Sequence, residues 1–257
     1  MRVFLTGATS GLGEALARHY AREGATLGLF ARRAGELAQL AERLAPATVA
    51  VYAGDVRDPA ALASAAADFV ARFGAPEIVI ANAGVSRGTL TQFAEDVPAF
   101  RSVMETNLLG LVHTFQPLLQ PMLDARSGAL VGIASVAGFR GIPGSGAYSA
   151  SKAAAITYLE SLRVELRGSG VAVVTICPGY IATPLTAKNP YRMPFIMTAD
   201  QAARLTARAI ARRRRFYVLP WQMAMVGWGL RMLPRALFDF AFANTKRKPR
   251  QPDLHDH

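Results

Sequence analysis

Tyr148 and Lys152 stand four residues apart in Tyr148-Ser149-Ala150-Ser151-Lys152, and side chains at that spacing are neighbours on one helix face. A compact ammonium beside a phenol favours the phenolate and draws the tyrosine's pKa down from about 10. Such a pair can give and take a proton. The lysine also stands out by composition. Of 29 basic residues only four are lysine, at positions 152, 188, 246 and 248, and Lys152 is the first of them. Arginine carries the same charge on a broad planar fork and does not replace a point donor. Alone, the pair would read as a surface contact; its companions give it a different meaning.

A second chemistry lies at the chain start. An apolar run at 2–6 leads into Thr6-Gly7-Ala8-Thr9-Ser10-Gly11-Leu12-Gly13 and then into a helical pattern. Glycines let the backbone turn sharply and approach a pyrophosphate, whose charge a helix N-terminus stabilises. Gly7, Thr9, Ser10, Gly11, Leu12 and Gly13 are therefore candidate phosphate-binding residues. A nucleoside triphosphate loop is excluded, because no Gly-Lys-Ser/Thr follows.

The next apolar run ends Leu29-Phe30-Ala31-Arg32-Arg33. Proteins that bind NAD commonly place an acid here for the ribose 2′-hydroxyl. Ala31 cannot serve, whereas the guanidinium groups of Arg32 and Arg33 suit a 2′-phosphate, so NADP(H) is expected in preference to NAD(H). Asp55, followed by Val56, could accept from the adenine amino group. The small residues of Asn82-Ala83-Gly84 would let the backbone pass close to the adenine ribose. Both segments end strand-like runs, at the carboxyl edge where parallel sheets bind their ligands.

The elements that must hold these residues alternate along the chain. Strands are expected at 2–6, 25–31, 47–52, 77–81, 128–134, 171–177 and 216–219, and helices near 12–23, 35–44, 58–73, 98–125, 147–168 and 199–213. Strands apolar throughout and separated by helices imply a parallel sheet covered on both faces. The expected fold is α/β, a doubly wound (Rossmann-type) three-layer sandwich with a seven-stranded parallel sheet. One domain is expected over 1–219, with a C-terminal extension over 220–257. The irregular segment 179–198 has the length of a lid or binding loop.

On Thr6 to Gly13, Asn82-Ala83-Gly84, Asn107, Ser135, Tyr148-Ser149-Ala150-Ser151-Lys152, Pro178-Gly179 and Thr183, the chain resembles the short-chain dehydrogenase/reductase family. The resemblance spans about 1–219 in the family's order and spacing. It implies a tetrad of Asn107, Ser135, Tyr148 and Lys152. Tyr148 would be the general acid in carbonyl reduction, and Ser135 would donate to the substrate oxygen as charge develops there. Lys152 would lower the Tyr148 pKa and bond the nicotinamide ribose, while Asn107 would hold a water relaying protons to the lysine. Pro178, Gly179, Ile181 and Thr183 would meet the nicotinamide end, Thr183 through the carboxamide and Ile181 through its backbone. The alternative is a module of the same fold that senses dinucleotide or acts as a scaffold without turnover.

Composition bounds the rest. The single Cys177 lies in an apolar run, which excludes an internal disulfide framework and suits a buried structural thiol in a reducing compartment. The four histidines lack metal-ligand spacing, so no metal is expected. Met1 to Leu5 run straight into the glycine-rich turn with no room for a secretory signal's apolar core, so a cytoplasmic protein is expected. Of the net charge of +11, residues 1–200 carry +2 and residues 201–257 carry +9. That tail holds Arg212 to Arg215, both tryptophans (Trp221 and Trp228), Leu237, Phe238, Phe240 and Phe242, and ends near Lys246-Arg247-Lys248-Pro249-Arg250. Arg231, Arg235 and Asp239 would share a face if a helix continued through Pro234. Too interrupted to span a bilayer, the tail suits an interfacial helix on an anionic membrane through residues 212–250. Packing on the domain or on a sister subunit is the other reading, and no nucleic-acid partner is expected. If the segment covers the nicotinamide, Leu185, Tyr191, Met193, Phe195, Ile196 and Met197 would line a pocket for a hydrophobic small-molecule substrate; the alternative is a lid packed on its own core. The two long helices at 98–125 and 147–168 would pair chains into a homodimer or homotetramer.

Overall fold

Strands whose every side chain is apolar need cover on both faces, and alternate residues here supply it to opposite layers. Val3 and Leu5 belong to one buried cluster with Leu27, Leu29, Ile80 and Val131; Phe4 and Phe30 belong to the other with Val79 and Leu130. The computed structural model describes residues 1–187, 189, 192–245 and 247–250. Its strands are β1 (Arg2–Thr6), β2 (Thr26–Ala31), β3 (Val49–Ala53), β4 (Ile78–Ala81), β5 (Gly128–Ile133), β6 (Val171–Pro178), β7 (Ile181–Ala182), β8 (Met197–Thr198) and β9 (Phe216–Leu219). Seven form one parallel sheet in the order β3-β2-β1-β4-β5-β6-β9. The order reverses between β1 and β4, and the crevice outside the carboxyl ends at such a reversal is where doubly wound sheets bind ligands.

The helices are α1 (Gly11–Arg22), α2 (Ala34–Arg43), α3 (Pro59–Phe73), α4 (Val97–Met104), α5 (Gly110–Asp124), α6 (Gly146–Glu165), α7 (Ala199–Ala211), α8 (Trp221–Met232) and α9 (Arg235–Phe242). Leu12, Leu16 and Leu37, from α1 and α2, join the first cluster, with Ala203 and Ile210 from α7. Phe69, Phe115 and Leu159, from α3, α5 and α6, fill the second. All seven expected strands of the sheet are present, two with the expected ends and the others with ends shifted by one or two residues.

Three differences from the sequence reading have physical causes. The helix expected over 98–125 is divided by a wide π turn at Glu105–Leu109, centred on Asn107, whose side chain is drawn off the helix toward the strand-end loop. The segment 179–198 is tied at both ends by the short parallel pairing of β7 with β8. The tail helix does not continue through Pro234: Leu233 is extended, because the residue before a proline avoids helical backbone. Arg231 thus lies on α8 while Arg235 and Asp239 lie on α9, and the single charged face does not form.

Candidate active site

The glycine-rich turn is shaped by contacts that leave no room for side chains. Gly7 has a φ of +68°, and a Cβ there would stand 2.7 Å from Ala83 Cα. A Cβ on Gly13 would overlap the Gly7 carbonyl oxygen. Asn82 straps this turn to the end of β4: its Nδ2 donates to the carbonyls of Thr6 and Gly7, each at 3.1 Å. The Thr6 hydroxyl in turn accepts from the Asn82 and Ala83 N–H groups at 3.2 and 3.3 Å. The Asn82 side chain therefore braces the cradle. Gly13→Ala should cost about 1–3 kcal/mol, since backbone cannot step aside as a side chain could. A fall in thermal midpoint with at least about tenfold weaker dinucleotide binding, read by NADPH fluorescence, is the expected result.

At the carboxyl end of β2, both arginines are anchored. Arg33 Nη2 donates to Thr9 Oγ1 at 2.9 Å, and its Nη1 pairs with Glu36 at 2.7 Å. Arg32 Nη1 lies 4.0 Å from Asp55 Oδ2. Asp55 also accepts from the backbone N–H, Nε and Nη2 of Arg57 at 2.9, 3.0 and 2.8 Å. Burial works to raise the Asp55 pKa, but the Arg57 bonds and charge, with Arg32 behind them, hold it below the ordinary value. Arg57 was not anticipated; its two-residue spacing from Asp55 was the available signal.

At the other end, β5 and the start of α6 bring Ser135, Tyr148 and Lys152 together. Lys152 is 4% exposed, donates from Nζ to the Ile133 carbonyl at 2.7 Å, and lies 5.8 Å from the Tyr148 ring centroid. Burial pushes its pKa down to about 8. Burial raises the Tyr148 pKa, a hydrogen bond with Ser135 opposes that rise, and buried Cys177 adds to it. The sequence reading had Lys152 lowering the tyrosine's pKa; here the opposing group is Ser135, while the Lys152 ammonium is held by the Ile133 carbonyl. The Ser135 hydroxyl also accepts from the Ala137 N–H at 3.1 Å. Cys177 is buried with a thiol pKa pushed up to about 12, so it stays a neutral core thiol.

Asn107, 1% exposed, sits behind this group. Its Nδ2 donates to the Val85 carbonyl at 2.9 Å and to Ser151 Oγ at 3.0 Å, and its Oδ1 accepts from the Val85 N–H at 2.8 Å. Both amide hydrogens are engaged by protein, so the side chain positions the loop after β4. Gly84 permits this: a Cβ there would stand 3.3 Å from Asn107 Oδ1 and 3.6 Å from Lys152 Nζ.

Of the expected catalytic and cofactor-binding residues, all but Gly13 and Asn107 line one cleft along the carboxyl ends of the strands. It runs from Arg32, Arg33, Asp55 and Val56 past Gly7, Thr9, Ser10, Gly11, Leu12, Asn82, Ala83 and Gly84. It ends at Ser135, Tyr148, Lys152, Pro178, Gly179, Ile181 and Thr183. Val85, Thr106 and Thr186 line it too and were missed. Thr186 donates to the Ile181 carbonyl at 2.6 Å and accepts from the Thr183 N–H at 3.2 Å, so it fixes the turn that carries Thr183.

The apolar loop is only partly in the cleft. Leu185 lines it, Met197 is in the core, and Phe195 and Ile196 are exposed. Tyr191 and Lys188 lie outside the described residues.

A cleft at the switch point, with a glycine cradle and helix N-terminus between two arginines and a buried lysine, suits a dinucleotide in the order of its groups and in charge. These features define a dinucleotide-binding α/β protein. The short chain dehydrogenase family model matches residues 1–193, and the chain belongs to that family of oxidoreductases. It is 39% identical over 239 residues to an uncharacterized oxidoreductase of Myxococcus xanthus (strain DK1622), covering 92% of this chain and 94% of the relative. Among solved structures it is similar to a short chain dehydrogenase/reductase from Burkholderia phymatum in complex with NAD. The TM-score is 0.81 at 26% identity, covering 97% of each chain. It is also similar to an alcohol dehydrogenase from the archaeon Thermococcus sibiricus complexed with 5-hydroxy-NADP. There the TM-score is 0.75 at 26% identity, covering 85% of this chain and 95% of the other. A nicotinamide dinucleotide is thus the family's cofactor on both sides of the NAD/NADP distinction.

Proposed function

We propose that the chain is an NADP(H)-dependent oxidoreductase that interconverts a hydrophobic, lipid-like ketone and its secondary alcohol. The observation that carries this reading is the meeting of Ser135, Tyr148 and Lys152 at one end of a cleft whose other end presents Arg32 and Arg33. Bound NADPH supplies hydride to the carbonyl carbon. Ser135 donates a hydrogen bond to the carbonyl oxygen, and Tyr148 gives that oxygen its proton. Lys152, which leaves the lowering of the resting phenol's pKa to Ser135, keeps its ammonium 5.8 Å from the Tyr148 ring centroid as the proton leaves, and Asn107 fixes the loop after β4. Two arginines where an acid would serve NAD support the NADP preference. The assay is NADPH absorbance against acyl ketones of increasing chain length, with and without anionic vesicles. Rates that climb with chain length bear the lipid reading out, and rates indifferent to it refute that part alone.

The reading extends to a membrane surface. No described helix is long and apolar enough to cross a bilayer. In α8, Met223 and Gly227 face the domain, Gly227 against Phe139, while Trp221, Met225, Trp228 and Met232 are 68, 66, 61 and 77% exposed. That spacing makes one outward apolar face, and Arg212 to Arg215 and Arg231 provide charge for anionic lipid. Trp228→Glu should therefore weaken co-sedimentation with phosphatidylserine vesicles about tenfold or more while leaving turnover of a short ketone unchanged. Equal sedimentation would favour a sister subunit as the cover. A homodimer or homotetramer built on α4, α5 and α6 is supported by exposed Val97, Phe100, Leu109 and Val164. No role for nucleic acid is proposed.

A further inference from the structure

The tail does not end at its helices. Residues 247–250 return to cross the two loops that follow β4 and β5. Arg250 pairs in parallel register with Gly88, and a Cβ on Gly88 would collide with the Pro249 carbonyl. Its Nε donates to Asp96 Oδ2 and its Nη2 to Glu95 Oε1, each at 2.8 Å, and its guanidinium lies 3.5 Å from the Phe93 ring centroid. On the second loop, a Cβ on Gly144 would stand 2.8 Å from Arg247 Cβ. The Thr89 N–H donates to the Gly144 carbonyl at 3.2 Å, joining the two loops beneath the strap.

Lys248 lies between these anchors. Its Nζ donates to Ser86 Oγ at 2.7 Å. Among the described residues it has no carboxylate partner, while Glu95 and Asp96 are both taken by Arg250. Burial alone pushes its pKa down to about 8, so it is an ammonium at neutral pH. Ser86 follows Val85, which lines the cleft and is clamped by Asn107. A partly buried cation that spends one of three N–H donors on a hydroxyl is costly unless a counter-charge arrives.

We propose that Lys248 is a specificity-determining residue that receives an anionic oxygen group, carboxylate or phosphate, carried by the substrate away from its reacting carbonyl. The Arg250 clasp holds it in place. This deepens the ketone reading and rests on it for the word substrate, yet it can be tested without turnover. Octanoate, octyl phosphate and octanol are titrated by calorimetry into the dinucleotide-saturated protein, as wild type, Lys248→Met and Arg250→Ala. In the wild type at least one anion should bind about tenfold more tightly than octanol, as a charge-assisted bond implies, and the tighter anion names the group. Lys248→Met should erase that margin while keeping octanol affinity and dinucleotide binding, which show the fold intact. Arg250→Ala should erase it as well. A wild type that does not prefer either anion, or a margin that survives Lys248→Met, overturns the proposal. Failure of the ketone reading would appear elsewhere, as absent NADPH oxidation across the ketone panel.

Discussion

Tyr148→Phe is expected to cut NADPH-dependent ketone reduction by about a thousandfold, within the span that a positioned general acid contributes, while dinucleotide binding stays unchanged. The substitution removes one hydroxyl and keeps the ring that packs beside Lys152. Because burial raises the Tyr148 pKa, the phenol is protonated at neutral pH and ready to give its proton in the reductive direction. Lys152 sets the alkaline limit. Its pKa is pushed down to about 8, so its ammonium persists below that pH and is lost above it. In the wild type, kcat/KM for NADPH should therefore be flat below about pH 8 and fall above it, since this parameter reports ionisations of the free protein. The residual rate of the phenylalanine variant should keep that alkaline limb, which belongs to the lysine. A variant retaining a tenth or more of wild-type turnover would remove Tyr148 from the reaction. A wild type that binds dinucleotide yet turns over no ketone would favour the sensing or scaffold alternative.

Joint replacement of Arg32 and Arg33 by serine should raise KM for NADPH about a hundredfold and leave KM for NADH nearly unchanged. Each guanidinium offers a charge-assisted bond to a 2′-phosphate, of about 1.5–3 kcal/mol when shielded. With Arg32 and Arg33 side chains 52 and 53% exposed, the low end applies to each. Both are held ready, Arg33 by Thr9 and Glu36 and Arg32 near Asp55, so little ordering remains to be done on binding. Steady-state kinetics with the two cofactors decide the matter. Parallel losses for both would mean that the arginines support the turn without discriminating, and NADP(H) preference would fall.

The residues that touch the dinucleotide cleft were legible because they sit at strand ends, and strand ends are marked by local patterns. An apolar run followed by Gly-x-x-x-Gly-x-Gly, by Arg32-Arg33, by Gly54-Asp55 or by Asn82-Ala83-Gly84 can be read within about ten residues of chain. Lys152 illustrates where such reading stops. Its spacing from Tyr148 placed the two side by side, but the carbonyl that holds its Nζ belongs to Ile133, on another element. Asn107 is a similar case. Its poor helix propensity was visible, whereas the π turn and its clamp on Val85 depend on a loop 22 residues away. For the apolar loop the sequence left pocket lining and a self-packed lid open, because hydrophobicity alone does not say whether a side chain faces a cleft, as Leu185 does, the core, as Met197 does, or water, as Phe195 does.

Taken by itself, the amino-acid order determined the parallel sheet, the glycine cradle, the missing acid after β2 and the proximity of Tyr148 to Lys152. Each follows from side-chain periodicity or backbone freedom over a few neighbouring positions. Tertiary structure alone decided that Asn82 braces the cradle, that Ser135 opposes the burial of Tyr148, and that Arg250 reaches Glu95 and Asp96 across 155 and 154 residues. Contacts of that separation form only once the sheet has set the distances between its loops, and no local pattern records them.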